Sequence, residues 1–306
     1  MVCEARSNGI NGCCCMGKDT VLFTGGTGFL GRSLIDSLAA RYRCINAGRH
    51  ENTACENIPW NLAEAFPDGH FPGGDVGCIV HCASIVGQND SVPTAEYFDI
   101  NIKATARLLD FAVRNHARHF IYISSGAVYG EAATELTEDD DCNPVNRYGL
   151  SKYISEILCS HCSDKMSVTI LRPFFPYGDG QTGRLIPTLI NQIANGHEVT
   201  LNKDGRPRIN PIHISDFVRI VSLVIEKELT GKYNVCGNEV LSLLDICERI
   251  REQLNAGEPH YVFRENETLN LIGSNRRICK ALNYNLRMRF DEGIAFARAY
   301  GERITP

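Results

Sequence analysis

A chain of 306 residues is long enough to bury a sizeable core in one large or two intimate domains. Its hydrophobic content of 43%, charged content of 22% and formal charge of -5 lack the basic excess that marks binders of nucleic acid or anionic membranes. No apolar run approaches the roughly 18 residues of a membrane span, and the first residues lack the apolar core of a signal peptide, so a cytoplasmic protein with no nucleic-acid or membrane partner is expected.

Residues 1–19 read as a disordered polar leader. They hold Cys3 and the adjacent Cys13, Cys14 and Cys15. Three consecutive cysteines do not readily face one ion tetrahedrally, so no metal site is expected, with acylation or metal binding as the lesser alternatives. The 14 cysteines are scattered through apparent strands and helices, a pattern that predicts reduced, mostly buried thiols rather than a disulfide framework.

From residue 21 onward short apolar runs alternate with longer helical patterns, the signature of an α/β fold with a doubly wound parallel sheet. The expected strands are Val21 to Thr24, Cys44 to Ala47, Cys78 to Cys82, Phe120 to Ser124 and Val168 to Leu171, rich in Val, Ile, Phe and Cys as doubly buried strands should be. The first strand runs straight into a glycine turn comprising Thr24, Gly25, Thr27, Gly28, Phe29, Leu30 and Gly31, and Leu30 to Ala40 reads as a helix. That context is what a dinucleotide-binding turn requires. Gly25 permits the tight turn, Gly28 lets backbone approach a pyrophosphate, Gly31 lets helix and strand pack closely, and the helix N-terminus favours phosphate.

The second strand of such a unit ends in Asp or Glu when NAD is bound, because a carboxylate accepts hydrogen bonds from the ribose. Here it ends in Arg49, followed by His50. A guanidinium suits a 2'-phosphate, so NADP(H) is favoured over NAD.

Further along, the acidic stretch Glu135 to Asp141 reads as a solvated loop near the mouth of a site. Tyr148 and Lys152 lie one helical turn apart, a spacing that sets ammonium beside phenol and favours the ionised phenol. The apolar set Leu150, Tyr153, Ile154, Ile157 and Leu158 predicts the face by which this helix meets the sheet. Cys159 and Cys162 close the helix, where the dipole does not help a thiolate, so they read as structural. After Arg172 the alternation loosens into loops rich in Pro and Gly. Tyr233 to Val235 returns as a late strand, and Leu241 to Leu254 and Glu292 to Tyr300 read as helices. The expected organisation is a Rossmann domain over 20–175, rejoined by about 212–238, with a substrate-binding part over 176–211 and 239–306.

The glycine turn, the run Ser124 to Gly130 and the run Tyr148 to Lys152 occur in one order, together with His81 to Ala83, Asn101 to Thr105, Leu171 to Pro173, Tyr177-Gly178 and Asn210 to Asp216. On these motifs the chain resembles the extended short-chain dehydrogenase/reductase family, specifically its NAD(P)-dependent sugar-nucleotide epimerases, dehydratases and reductases, from about Val21 to the C-terminus. The resemblance implies Ser125 as the catalytic hydroxyl, Tyr148 as general acid/base and Lys152 as its partner and a ligand of the nicotinamide ribose. Work near neutrality asks for a tyrosine pKa brought down from about 10 to about 7, about 4 kcal/mol. It implies further cofactor contacts from Asn61, Leu62, Cys82, Ala83, Asn101 and Pro173. Substrate contacts would come from Ser125, Phe175, Arg184, Arg208 and Asn210, with Arg172 and Tyr177 also in range and Arg184 or Arg208 able to pair with a diphosphate. Many members carry Asn near Phe175, and Ile209 stands where an arginine is usual, so sugar and nucleotide stay open.

Departures narrow the reaction. The family's 4,6-dehydratases follow the active hydroxyl with Asp-Glu, and the relatives that make GDP-fucose use a cysteine acid/base, but this chain has Gly126 and Ala127. The expectation is NADPH-dependent reduction of a keto-sugar nucleotide, by a homodimer. The alternatives are a sugar-nucleotide epimerase with retained cofactor, a reductase of small ketones or aldehydes, and a non-catalytic NADP-sensing protein.

Overall fold

The computed structural model describes residues 19–67, 76–87, 91–130, 132–265 and 270–295; the cysteine leader and most of the expected last helix lie outside them. Strand β1 (Thr20–Thr24) passes through the glycine turn into α1 (Phe29–Leu38), followed by β2 (Arg43–Gly48), β3 (Glu56–Pro59) and β4 (Cys78–His81). Helix α2 (Thr94–Tyr97) runs through a π-helical stretch, Phe98–Lys103, into α3 (Ala104–Arg114). Next come β5 (His119–Ile123), α4 (Arg147–Ser160), β6 (Ser167–Pro173), α5 (Leu185–Ala194), β7 (Val199–Asn202) and β8 (Arg208–Ile209). The described chain finishes with α6 (Ile214–Lys227), β9 (Gly231–Val235), β10 (Leu241–Ser242), α7 (Leu243–Leu254), β11 (Tyr261–Arg264), α8 (Arg276–Leu282) and α9 (Phe290–Gly293).

Seven strands form one parallel sheet in the order β3-β2-β1-β4-β5-β6-β9. Period-two alternation assigns their side chains to two layers. Val21 and Phe23 of β1 pack with Leu34 and Ile35 of α1 and Phe217 and Val221 of α6. Leu22, between them, packs with Leu108, Phe111 and Ala112 of α3 on the opposite face. Buried on both faces, the sheet presents the C-terminal ends of β1, β4, β5 and β6 together, where ligands of such sheets bind. A third core joins α5, α7 and β7 through Leu189, Ile190, Ile193, Ile246, Ile250 and Val199. Two small sheets, β8-β10 and β7-β11, complete that C-terminal region. Among the described residues no helix is long and apolar enough to cross a membrane.

Helix α4 corrects the sequence reading in part, since Tyr153 and Leu158 of the expected face do pack against buried core residues. Its buried residues are Tyr148, Gly149, Ser151, Lys152, Ser155, Glu156 and Cys159, whereas Leu150 and Ile157 from the expected core face are 40% and 41% exposed. Small residues explain why the polar side is the more deeply buried. A Cβ on Gly149 would lie 2.4 Å from the Ala127 carbonyl oxygen, so the small polar side is the one that can approach the end of β5 closely.

Two other expectations are amended. All ten described cysteines are free, but only Cys44, Cys78, Cys159, Cys236 and Cys247 are fully buried. Burial pushes the thiols of Cys159 and Cys162 up, as befits structural rather than redox groups. The acidic stretch is not simply solvated: the Glu138 side chain is 3% exposed, accepts the Asn234 N–H at 2.7 Å and pairs with Arg277.

Candidate active site

The glycine turn forms as its residues require. Gly25 takes φ +70°, and a Cβ there would lie 2.8 Å from the Ala83 nitrogen; a Cβ on Gly31 would meet the Gly25 carbonyl oxygen at 2.2 Å. Helix and strand therefore approach as only glycine allows. Gly28 is exposed and caps α1 without a side-chain hydrogen bond, and no acidic residue occupies the first turn. The positive end of the helix thus faces outward uncompensated, a cradle that fits a dinucleotide pyrophosphate.

The turn is tied to its neighbours from below. Thr24 Oγ1 donates to His81 Nδ1 at 2.6 Å and accepts the Ala83 N–H at 3.2 Å, while His81 Nε2 bonds Thr105 Oγ1 at 2.9 Å. Thr105 in turn donates to the Asn101 carbonyl, so the chain of donors leaves the His81 proton on Nε2. Burial pushes the His81 pKa down to about 3, which keeps this link neutral.

Across the sheet edge, Ser125 ends β5 as the N-cap of a 3-10 turn, its Oγ accepting the Ala127 N–H at 3.1 Å. The Ser125 hydroxyl and the Arg184 cation both favour the Tyr148 phenolate, but burial outweighs them and raises the Tyr148 pKa. Lys152, 2% exposed, donates from Nζ to the Ile123 carbonyl at 2.8 Å and lies 4.9 Å from the Tyr122 ring centroid. The Lys152 pKa falls to about 8, chiefly through burial. This corrects the expected pairing: Ser125 and Arg184, not Lys152, pull the phenol's pKa down.

The structure also distinguishes Ser124 from Ser125. Ser124 is buried and donates to Glu156 Oε1 at 2.5 Å, whereas Ser125 is partly exposed beside Tyr148. Glu156 receives Arg172 through Nε at 2.9 Å and Nη2 at 2.6 Å, with both side chains sealed from solvent. Arg172 also bonds Tyr129 at 2.6 Å, so it is a buried structural cation rather than a substrate contact. Sequence spacing held one signal for Glu156, which continues the Tyr148 and Lys152 interval by one more turn. Its partner could not be read that way.

Other expected residues divide by exposure. Thr27, Gly28, Arg49 and His50 are exposed, and Asn61, Leu62, Cys82 and Ala83 half-buried. Thr24, Asn101 and Pro173 are enclosed. Asn101 bonds both backbone groups of Ile85 and the Ser151 hydroxyl, so it braces the loop after β4 instead of facing a cofactor. Asn210 is likewise engaged, bonding Gly237 and both polar backbone groups of Gly273. Arg208 is exposed on β8. Phe175 holds φ +44°, a left-handed conformation unusual for an aromatic residue, at the loop after β6. Arg184 donates to the Val86 carbonyl at 3.2 Å and thereby spans from the loop before α5 to the loop after β4. Tyr177 is buried in the third core.

Residues 21–236 match the NAD dependent epimerase/dehydratase family. A dTDP-glucose 4,6-dehydratase from an Actinoplanes species is 26% identical over 304 residues, covering 90% of this chain and 95% of its own. A dTDP-4-dehydro-6-deoxy-D-allose reductase from Streptomyces bikiniensis is 28% identical over 271 residues, covering 78% of this chain and 82% of its own. The structure of UDP-glucuronic acid 4-epimerase from Bacillus cereus in complex with NAD superposes with a TM-score of 0.83 at 22% identity, over 94% of this chain and all of the other, a likeness of fold.

Proposed function

The chain belongs to the NAD dependent epimerase/dehydratase family, and on that premise we propose that it uses NADPH to reduce the keto group of a sugar nucleotide. The observation that carries the reading is Arg49. Its exposed guanidinium, engaged by no hydrogen bond or ion pair among the described residues, stands beside the cradle where an NAD-selecting acid is expected. An enzyme that consumes NADPH has reason to select it. The reductase relative supports this direction, and the surroundings of Ser125 argue against elimination. A side chain at Gly126 would meet the Phe174 ring at 2.8 Å, so the position that carries the dehydratases' aspartate is filled.

Gly25, Thr27, Gly28 and the start of α1 would hold the pyrophosphate, Arg49 the 2'-phosphate and Lys152 the nicotinamide ribose. Bound NADPH supplies hydride to the carbonyl carbon. Ser125 holds the carbonyl oxygen, and Tyr148 gives it a proton as the C=O double bond becomes a C–O–H group; the phenolate left behind regains a proton from solvent. Burial keeps Tyr148 protonated, which suits a donor. Arg184, a cation whose field reaches Tyr148, would pair with an anionic part of the substrate such as its diphosphate. Two copies would associate through the exposed Leu150 and Ile157 of α4 with Phe98.

The test mixes purified protein with NADPH or NADH and a 4-keto sugar nucleotide and follows the absorbance of the reduced nicotinamide. Loss of signal with NADPH, dependent on the nucleotide moiety and abolished by Tyr148→Phe, is expected. Protein that retains NAD and interconverts a UDP- or GDP-sugar without net redox change would make it an epimerase instead.

A further inference from the structure

The loop between β2 and β3 carries Arg49 and His50, and three asparagines fix it. Asn46 Oδ1 accepts the Gly26 N–H at 3.0 Å, and its Nδ2 donates to the His50 carbonyl and to Asn57 Oδ1, each at 3.0 Å. Asn57 Oδ1 also accepts the Asn52 N–H at 2.8 Å, while its Nδ2 donates to the carbonyls of Asn52 at 2.9 Å and Cys55 at 3.0 Å. Asn52 closes the circuit by donating to the Gly26 carbonyl at 2.7 Å and accepting the Ala54 N–H at 2.8 Å. Asn46 and Asn52 are 1% and 6% exposed. Both polar backbone groups of Gly26 are thus held by side chains of β2 and of the loop that follows it, and a Cβ on Gly26 would lie 2.5 Å from Asn46 Oδ1.

Register explains the placement. β1 and β2 run parallel with Thr24 opposite Ala47, so the glycine turn and the Arg49 loop leave the sheet side by side. A surface loop left to itself would sample many conformations, and a ligand would have to order it on binding. The amide network removes that cost in advance and places no carboxylate in the clamp. Glu51 is the single acid between Arg49 and Cys55, and it is exposed.

We propose that Asn46, Asn52 and Asn57 are positioning residues for a 2'-phosphate subsite: they lock the loop against the glycine turn so that Arg49, with His50, meets the phosphate on the adenine ribose. The inference rests on the NADPH reading and deepens it. Specificity resides in Arg49, and its geometry in the asparagines.

Calorimetric titration of the full chain with adenosine 2',5'-bisphosphate and with 5'-AMP tests both ideas separately. The wild type should bind the bisphosphate at least about tenfold more tightly, the scale of one charge-assisted contact. Arg49→Ala should erase the preference. Asn57→Ala and, independently, Asn52→Ala should lower the ratio of the two affinities several-fold while each variant keeps its cooperative melt. A merely structural role would weaken both ligands alike and leave the ratio unchanged. An unchanged ratio in both asparagine variants, with Arg49→Ala still effective, overturns the inference and leaves the NADPH reading standing. Absence of preference in the wild type, or a ratio moved by Glu51→Gln instead of Arg49→Ala, overturns the NADPH reading itself.

Discussion

Lys152→Met should separate the chemistry of α4 from its stability. Lys152 is sealed from solvent, and burial lowers its pKa from 10.5 to about 8, against the pull of Cys82, Cys159 and Glu156. Between those values the unfolded chain holds a proton that the folded chain has released. Stability therefore rises with pH across that window, because the unfolded state binds more protons. Integrated from pH 7 to pH 10, this one group contributes an increase of about 2–3 kcal/mol that the methionine variant lacks. The lost bond to the Ile123 carbonyl is a constant offset and cancels in the comparison. The variant should thus be relatively more stable at pH 7 than at pH 10 by about that amount, and it should be inactive. Urea unfolding followed by fluorescence of the single, buried Trp60 at both pH values measures it. A stability difference between variant and wild type that is equal at the two pH values would refute the reasoning.

Glu156→Gln leaves the Arg172 charge buried without its partner and should cost about 3–5 kcal/mol, partly recovered in Glu156→Gln/Arg172→Met; a loss below about 1 kcal/mol in urea unfolding would show the pair to be dispensable. Gly126→Asp should destabilise the protein by about 1–3 kcal/mol through collision with Phe174, and product analysis should find no eliminated sugar; a stable variant that dehydrates its substrate would contradict the packing argument. Leu150→Glu with Ile157→Glu should halve the mass measured by light scattering, and a wild type already monomeric at micromolar concentration would end the dimer proposal.

Local motifs were legible because their physics is local. The strand, glycine turn and helix from Thr20 to Leu38 follow from residues within hydrogen-bonding reach of one another. Strands β3, β7, β8, β10 and β11 carry no such signal: they are short and, unlike the equally short but wholly buried β4, partly exposed. β3 in addition buries neither end, so it owes its extended form to pairing with β2 rather than to its own composition. Arg172 shows the other limit. A cation at the end of a strand near a ligand site looks like a substrate contact, and only the position of Glu156, packed against it from another element, reveals a closed ion pair. Asn210 fails the same way, because its partners lie on segments around Gly237 and Gly273. The expected attraction between Lys152 and the Tyr148 phenol was sound in spacing, but the ammonium turns inward to the Ile123 carbonyl instead.

Helix α4 links the candidate site to the face proposed for association of two copies. A helix against a sheet ordinarily buries its apolar side. This one buries Tyr148, Lys152 and Glu156, each needing a partner to offset desolvation, with glycine and serines between them that let the helix approach Ala127 closely. Two of its larger apolar residues, Leu150 and Ile157, are thereby turned outward. The side facing the sheet therefore returns little hydrophobic stabilisation for the charges it encloses, and Leu150 and Ile157 gain theirs only if something covers them. A second copy covering that face would stabilise the helix that carries the tyrosine and lysine, so association would steady the proton-transfer groups from behind without touching the substrate.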